Sequence, residues 1–176
     1  MYQYQYPANL EDNGEGGFIV SFRDIPEINT EIWNMDELFE TGKDALITAA
    51  DICFEKRIIF PKPSKKMENE VLIPLPISVV AKILLLNTMV EGNIRAADLA
   101  RKMNIKAQEV NRIINLRHNT KIDTIQTALK ALNKDFQLAV VWYRLSTKGP
   151  HFGGAFPFNL TNFTKQEQLP HISGAK

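Results

Sequence analysis

The spacing of apolar residues along this sequence changes at Pro74 and Pro76. Before these prolines, polar and apolar residues alternate in short stretches, which is typical of strands with one buried face. After them, apolar residues recur every three or four positions, which is typical of amphipathic helices. Proline cannot continue a strand ladder, so a boundary is expected there. The sequence therefore predicts a domain of residues 1–76, a helical domain of residues 77–142 and a tail of residues 143–176.

The first region is predicted to form a small antiparallel sheet with one packed helix. The first turn is expected at Asn13–Gly17, because Asn and Gly tolerate a positive φ. The helix is expected to span Asn34–Phe54, with Asn34 and Glu37 capping its first turn. The predicted strands are Tyr2–Tyr6, Phe18–Phe22, Asn29–Trp33 and Val71–Pro76. The predicted apolar face of the helix comprises Leu38, Phe39, Gly42, Ala45, Leu46, Ala49, Ile52 and Cys53.

Four helices are predicted after the prolines, followed by a strand-like stretch at Phe136–Trp142. From Tyr143 onward the periodicity disappears, and this tail is expected to be irregular and mostly mobile. The predicted helices are Ile77–Met89, Ile94–Met103, Ala107–Leu116 and Asp123–Leu132.

The charge of the chain is divided unevenly between these regions. The 176 residues carry a net charge of only +1, but residues 1–76 hold 14 acidic and 7 basic residues, whereas residues 77–176 hold 6 acidic and 14 basic residues. Such asymmetry favours a basic partner for the first region and a polyanion for the second. Two solvated surfaces that differ in sign by chance are the alternative.

Three further features narrow the class of protein. A single cysteine excludes an internal disulfide, and a reducing compartment is the expected setting. The N-terminal residues lack the basic and apolar stretches of a signal peptide. The most apolar run, Ile77–Val90, is too short to span a bilayer and contains Lys82 and Asn87. We therefore expect a cytoplasmic protein without a membrane segment.

The second and third predicted helices fit a helix-turn-helix. Two helices that meet through a turn of three or four residues need a small residue where they touch, and Ala100 is suitably placed. The turn needs a residue that accepts left-handed geometry, and Asn104 does so. The apolar seam is expected to comprise Leu99, Met103, Ile105, Val110, Ile113 and Ile114.

The outward face of the third helix carries the side chains that we expect to contact DNA. Amide and guanidinium groups match the edges of adenine and guanine in the major groove. Lysine and arginine beside such a helix suit phosphates. An ordinary helical hairpin with a polar outer face is the alternative. The predicted DNA-binding residues are Lys106, Gln108, Asn111, Arg112, Asn115, Arg117 and Lys121.

Four segments of the chain resemble the HicB antitoxins. The segments Glu15–Glu27 and Lys43–Leu46 resemble the N-terminal domain of that family. The segments Ile73–Lys82 and Asn115–Asp123 resemble the form of HicB that carries a phage-repressor-type helix-turn-helix. The resemblance covers residues 1 to about 141, and the joint pattern is more specific than the glycine-rich hairpin alone.

The resemblance implies an α+β fold and two binding activities. In this family the N-terminal domain resembles a truncated ribonuclease H fold without a working active site, and it binds HicA, a small basic toxin that cleaves mRNA. The C-terminal domain binds the operator of its own operon, usually as a dimer. The expected partners are therefore a HicA-type toxin, operator DNA and a second copy of the chain. Asp24, Glu27 and Glu31 are candidate toxin contacts, chosen by their charge alone.

The sequence departs from the family pattern in two places. Arg95 and Lys106 stand where such helices often begin with Ser or Thr, so both helix starts are expected to be less well anchored. Glu27, Ile32 and Trp33 replace the usual small and polar residues after the Asp-Ile-Pro segment, which puts the local toxin contact in doubt.

Two other functions remain open at this stage. A stand-alone transcriptional regulator would use the N-terminal domain to sense a ligand or to oligomerise. A metal-dependent nuclease would need Asp24, Asp44 and Asp51 to converge, and no pattern indicates that they do. His118, His151 and His171 are dispersed and the chain has one Cys, so no metal site is indicated. We expect no catalytic residue and no cofactor.

Overall fold

An antiparallel hairpin begins the fold. Its strands are β1, Gln5–Asp12, and β2, Phe18–Phe22, in a computed structural model that describes residues 4–137. In the turn, Gly14 and Gly16 adopt positive φ angles of 76° and 92°. The predicted hairpin and its glycine-dependent turn are therefore confirmed, but the predicted bounds of the first strand, Tyr2–Tyr6, were wrong, because the strand continues through residues 7–12 to pair with β2.

Two more strands complete one sheet. β3, Asn29–Ile32, pairs with β2, and β4, Val71–Pro74, pairs with β1. The strand order is β3-β2-β1-β4, and every pair is antiparallel. A 3-10 turn at Met35–Glu37 leads into helix α1, Leu38–Glu55, which lies between β3 and β4 in the chain.

The core of this half lies on the face of the sheet that α1 covers. Strand residues alternate between two faces, and one alternate set is fully buried. Gly42 of α1 permits the close approach, since a β-carbon there would lie 3.3 Å from Cγ2 of Ile73. The strand residues buried on the face that α1 covers are Tyr6, Ala8, Val20, Phe22, Ile32 and Ile73.

Four helices follow the sheet, which confirms the α+β fold. The first of these helices has buried residues on most of its circumference, whereas each of the other three buries residues along one side only. The helices are α2, Ile77–Glu91; α3, Ala96–Met103; α4, Ala107–Ile114; and α5, Ile122–Lys130. Within residues 4–137, no single helix is long and apolar enough to cross a membrane; α2 and α3 pass such a test only together, as a pair bent by 105°.

The sheet half and the helical half belong to the same compact unit, which extends to Gln137. Asn87 of α2 joins them: its side chain accepts from the backbone N–H of Phe60 at 2.9 Å and donates to the Phe60 carbonyl at 3.0 Å. All three groups are buried, so this pair of bonds replaces the water that they would otherwise need. The division at residue 76 stays a prediction about domains.

Several local expectations differ from the structure. Phe39 and Ile52 of α1 are exposed, and Cys53 is half-buried. Periodicity identifies the face of a helix, but tertiary packing decides whether neighbouring elements cover that face along its whole length. Phe136 and Gln137 are not in a strand. Tyr2, the rest of the predicted strand Phe136–Trp142 and the tail of residues 143–176 lie outside the described residues.

Candidate nucleic-acid interface and acidic sheet surface

A three-residue turn connects α3 to α4. Asn104 begins it in the left-handed region, with φ 53° and ψ 45°, as predicted from its side chain. The next backbone N–H, that of Ile105, donates to the carbonyl of Ala100 at 3.1 Å. Leu99 and Ala100 are buried beside this turn. The helices and the turn that the helix-turn-helix prediction requires are therefore present at the expected positions.

The start of α3 is better anchored than its sequence suggests. The Asp98 carboxylate accepts a hydrogen bond from the backbone N–H of Arg95 at 3.0 Å, and the Arg101 side chain also donates to it. The bond from Arg95, and then that from Arg101, holds the pKa of Asp98 below its usual range. As expected, Arg95 makes no side-chain cap bond, but the carboxylate in the third helical position supplies the other half of a capping box by accepting from the Arg95 N–H. At α4, Lys106 makes no side-chain cap bond, as expected.

Helix α4 presents a polar face to solvent. Val110 and Ile113 point into the core. On the opposite side, four exposed polar side chains have amide or cationic groups that suit DNA. Within residues 4–137, none of the four forms a side-chain hydrogen bond or an ion pair. These four are Lys106, Gln108, Asn111 and Arg112.

The remaining predicted contacts are placed differently. Lys121 is exposed just before α5. Asn115 is exposed at the end of α4, where its side-chain oxygen accepts from the backbone N–H of Arg117 at 2.9 Å. This bond shapes the loop that leaves α4. His118, in the same loop, has its ring nitrogen 3.4 Å from Oγ1 of Thr120.

Arg117 is engaged with α1 instead of standing free beside α4. Its Nη2 donates to Oγ1 of Thr48 at 2.9 Å, and its Nε lies 3.5 Å from Oδ2 of Asp51. Burial raises the pKa of Asp51, and the Arg117 charge opposes that rise. Both side chains keep partial solvent access, so this ion pair is weak and exchangeable. A phosphate would have to displace a carboxylate to reach Arg117.

Lys82 of α2 forms hydrogen bonds with the loop after α4, a role that was not predicted from the sequence. Its side chain is buried within α2, and Nζ donates to the carbonyl of Asn115 at 2.6 Å and to the carbonyl of His118. Burial lowers the pKa of this ammonium. A lysine inside an otherwise apolar helix was the available signal, because a buried charge needs fixed polar partners.

The three acidic candidates lie at different positions on the sheet half. Oδ2 of Asp24, after β2, accepts from the backbone N–H of Ser64 at 2.8 Å. Glu27 is exposed in the loop before β3. Burial of the Cys53 thiol is the main cause that raises its pKa, and the negative charge of Glu27 adds to this rise. Glu31 is exposed on β3, where the Asn13 side chain donates to it. Within residues 4–137, no group of three or more His, Cys, Asp and Glu side chains could hold a metal ion.

Comparison with known proteins assigns the family. A model of the HicB-like antitoxins of bacterial toxin–antitoxin systems matches residues 5–84. The Antitoxin HicB of Escherichia coli is 43% identical over 137 residues, which is 78% of this chain and 99% of that protein. This chain belongs to the HicB-like antitoxin family. An Antitoxin HicB 2 of Photorhabdus laumondii is also 43% identical over 137 residues, 96% of its length. The Antitoxin HicB of Pseudomonas fluorescens is 29% identical over 141 residues, or 94% of its length.

Membership of this family confirms the resemblance to the HicB antitoxins, whereas the resemblance to the form with a helix-turn-helix stays a prediction. These relatives are antitoxins, not enzymes, so the family carries no catalytic role over to this chain. The aligned region of the Escherichia coli relative covers 78% of the chain, which agrees with the span predicted from the four matching segments.

Proposed function

We propose that this chain neutralises a HicA-type toxin that cleaves mRNA and represses its own operon by binding operator DNA. Membership of the HicB-like family supports the antitoxin role. The observation that carries the proposal for DNA is the outward face of α4, where amide and guanidinium groups stand exposed without a partner among the described residues.

In the DNA arm of this proposal, α4 lies in the major groove. Gln108 and Asn111 have the amide groups that pair with adenine, and Arg112 has the fork that pairs with guanine. Lys106, Asn115, Arg117 and Lys121 would contact the backbone and fix the register. Two copies of the chain would bind half-sites about one helical turn apart, so we expect a palindromic operator and a homodimer or a higher even oligomer.

In the toxin arm, the acidic half binds a basic partner. Asp24, Glu27 and Glu31 are candidate contacts on the evidence of their charge, and only Glu31 projects from a strand. The proposed DNA contacts belong to the helical half and the proposed toxin contacts to the sheet half of residues 4–137, and this separation supports simultaneous binding of both partners. The proposed setting is the cytoplasm, where operator and toxin are both found, and no cofactor is required.

Two measurements on the full chain test the proposal. The first is binding to the DNA upstream of its own reading frame, whose affinity should fall by roughly a thousandfold between 50 and 200 mM salt if about six phosphates are contacted. The second is growth of cells that express a HicA-type toxin, taken from the reading frame that the proposal expects beside that of this chain; the chain should rescue their growth. A flat salt response would contradict the DNA arm. Promoter binding without rescue would favour a stand-alone regulator.

A further inference from the structure

One corner of the sheet exposes two large apolar side chains beside each other. Ile19 of β2 and Trp33, which follows β3, are 38% and 58% exposed, although their chain neighbours Val20 and Ile32 are fully buried. Because strand residues alternate between faces, Ile19 and Trp33 project from the face opposite α1. We call this corner the hairpin-end surface: Trp33 and Ile19 with Glu11 and Glu31.

The sheet register brings these four residues together. Ile19 is paired with Glu11 on β1 and with Glu31 on β3. Its apolar side chain is therefore flanked on both sides by a carboxylate. Trp33 is two residues beyond Glu31, on the same side of the sheet. The surface thus combines an apolar centre with an acidic margin.

The Trp33 indole lies against the hairpin at Gly17. A β-carbon on Gly17 would lie 3.1 Å from Cε3 of Trp33 and 2.7 Å from the carbonyl oxygen of Ile32. Only glycine leaves room for the indole and the β3 backbone at this position. The Trp33 backbone N–H also lies 3.5 Å from a carboxylate oxygen of Glu37. Tryptophan is enriched among interface hot spots because it buries a large area, and the contact with the hairpin restricts the positions that the Trp33 indole can adopt.

The charge around this corner selects the kind of partner. Residues 1–42 contain nine acidic residues and one basic residue, Arg23. Arg23 follows the far end of β2 and forms an ion pair with the buried carboxylate of Glu70. An acidic margin repels phosphates and attracts lysine and arginine, and an indole face also binds such cations. The fitting partner is a basic protein surface with an apolar residue at its centre.

We propose that the hairpin-end surface is where the basic toxin docks, with Trp33 as the anchor. This proposal rests on the antitoxin function proposed above and makes it more specific. Of the three acidic candidates, it selects Glu31. Asp24 and Glu27 lie at the opposite end of β2 and β3, about four strand residues away, or roughly 13 Å. It also gives Trp33, a departure from the family pattern, a role in binding the partner of this particular chain.

The test measures binding of the full chain to the HicA-type toxin that the proposed function expects as its partner. Trp33→Ala should weaken binding at least about 30-fold, as loss of an interface hot spot does. Ile19→Asn should weaken it about tenfold, and Glu11→Lys should lower the association rate about tenfold. Met67→Ala is the matched control for Trp33, because Met67 is also 58% exposed but lies in the loop before β4. Glu68→Lys, in the same loop, is the matched control for Glu11.

Operator affinity, which should change less than about twofold, reports that each variant is folded. Normal toxin binding by Trp33→Ala and Ile19→Asn would overturn the hairpin-end surface and leave the antitoxin function standing. Failure of the unchanged chain to bind the toxin would overturn both proposals. If Trp33→Ala instead dissociates an oligomer in sedimentation and binds toxin normally, the corner is a contact between copies of this chain, and the proposal is wrong.

Discussion

The sheet half and the helical half of this protein share one core but present opposite surfaces. Among the described residues, seven of the eight exposed large apolar side chains lie before Pro76, and the eighth is Ile77. Residues 4–76 carry 14 acidic and 7 basic residues, whereas residues 77–137 carry 5 acidic and 10 basic residues. One half is acidic with apolar patches, and the other is basic with a polar face.

This difference indicates two classes of partner. Covering exposed tryptophan and isoleucine with another apolar surface, as in a protein interface, lowers the free energy of the complex. Exposed amides and guanidinium groups on a helix instead form favourable hydrogen bonds with base edges and phosphates. Under the proposed function, the acidic half would hold a basic protein and the basic half would hold DNA, and a net charge of +1 conceals this division.

The largest expected effect separates the two activities. Asn111→Ala combined with Arg112→Ala should weaken operator binding by about 100-fold, since each paired base contact contributes about 1–3 kcal/mol. Toxin binding should not change. A gel-shift titration and a toxin-binding titration on the same protein measure both. Asn29→Ala combined with Lys62→Ala, an exposed amide and cation of the sheet half, is the matched control. Repression that survives the first pair would show that α4 is not the recognition helix.

The second prediction concerns the connection between the halves. Asn87→Ala leaves the buried N–H and carbonyl of Phe60 without partners. The free energy of unfolding should fall by about 2–3 kcal/mol, because a buried unsatisfied group costs about 1–3 kcal/mol. Urea titration followed by circular dichroism measures it, with the exposed Asn119→Ala as control. An unchanged midpoint would show that these two hydrogen bonds contribute nothing to the stability of the chain.

The third prediction is a pH dependence that originates in the sheet half. The hydrogen bond from the Met67 backbone, helped by Arg23, lowers the pKa of Glu70 from its ordinary value of 4.5. A carboxylate whose pKa is lower in the folded state stabilises the fold above its unfolded pKa. That contribution is lost as the pH falls below 4.5 and through the folded pKa. Urea midpoints between neutral pH and pH 3 should therefore fall more steeply for the unchanged chain than for Glu70→Gln. Parallel curves would contradict this assignment.

The smallest expected effect tests the contact that crosses between the halves. Asp51→Asn removes the carboxylate that holds Arg117. If Arg117 binds phosphate, operator affinity should rise about two- to fivefold, the range expected for an exposed ion pair. The slope of log affinity against log salt should steepen by up to about 0.9, the value for one further phosphate. Asp44→Asn, on the same helix without a side-chain partner among the described residues, should leave both unchanged. Equal affinities for Asp51→Asn and the unchanged chain would remove Arg117 from the DNA contacts.

Local pattern was sufficient to predict most secondary structure. The apolar stretch Phe18–Phe22 predicted β2 with its observed bounds, and the Asn and Gly residues predicted the hairpin turn. Asn104 predicted the left-handed turn between α3 and α4. Helix bounds differed by a few residues where caps came from unexpected positions, as with Asp98. Each of these features depends on residues within a few positions of one another.

The sequence by itself determined the fold class, the polar face of α4 and the opposite charges of the two halves, because periodicity and composition are local properties. Only the tertiary structure decided which side chains stand free. It engaged Arg117 with a residue 69 positions away and placed the Lys82 ammonium under the loop after α4. It also left Trp33 and Phe39 exposed. The physical reason is that burial and side-chain pairing depend on contacts between segments that are far apart in the sequence, and a local sequence pattern does not specify those contacts.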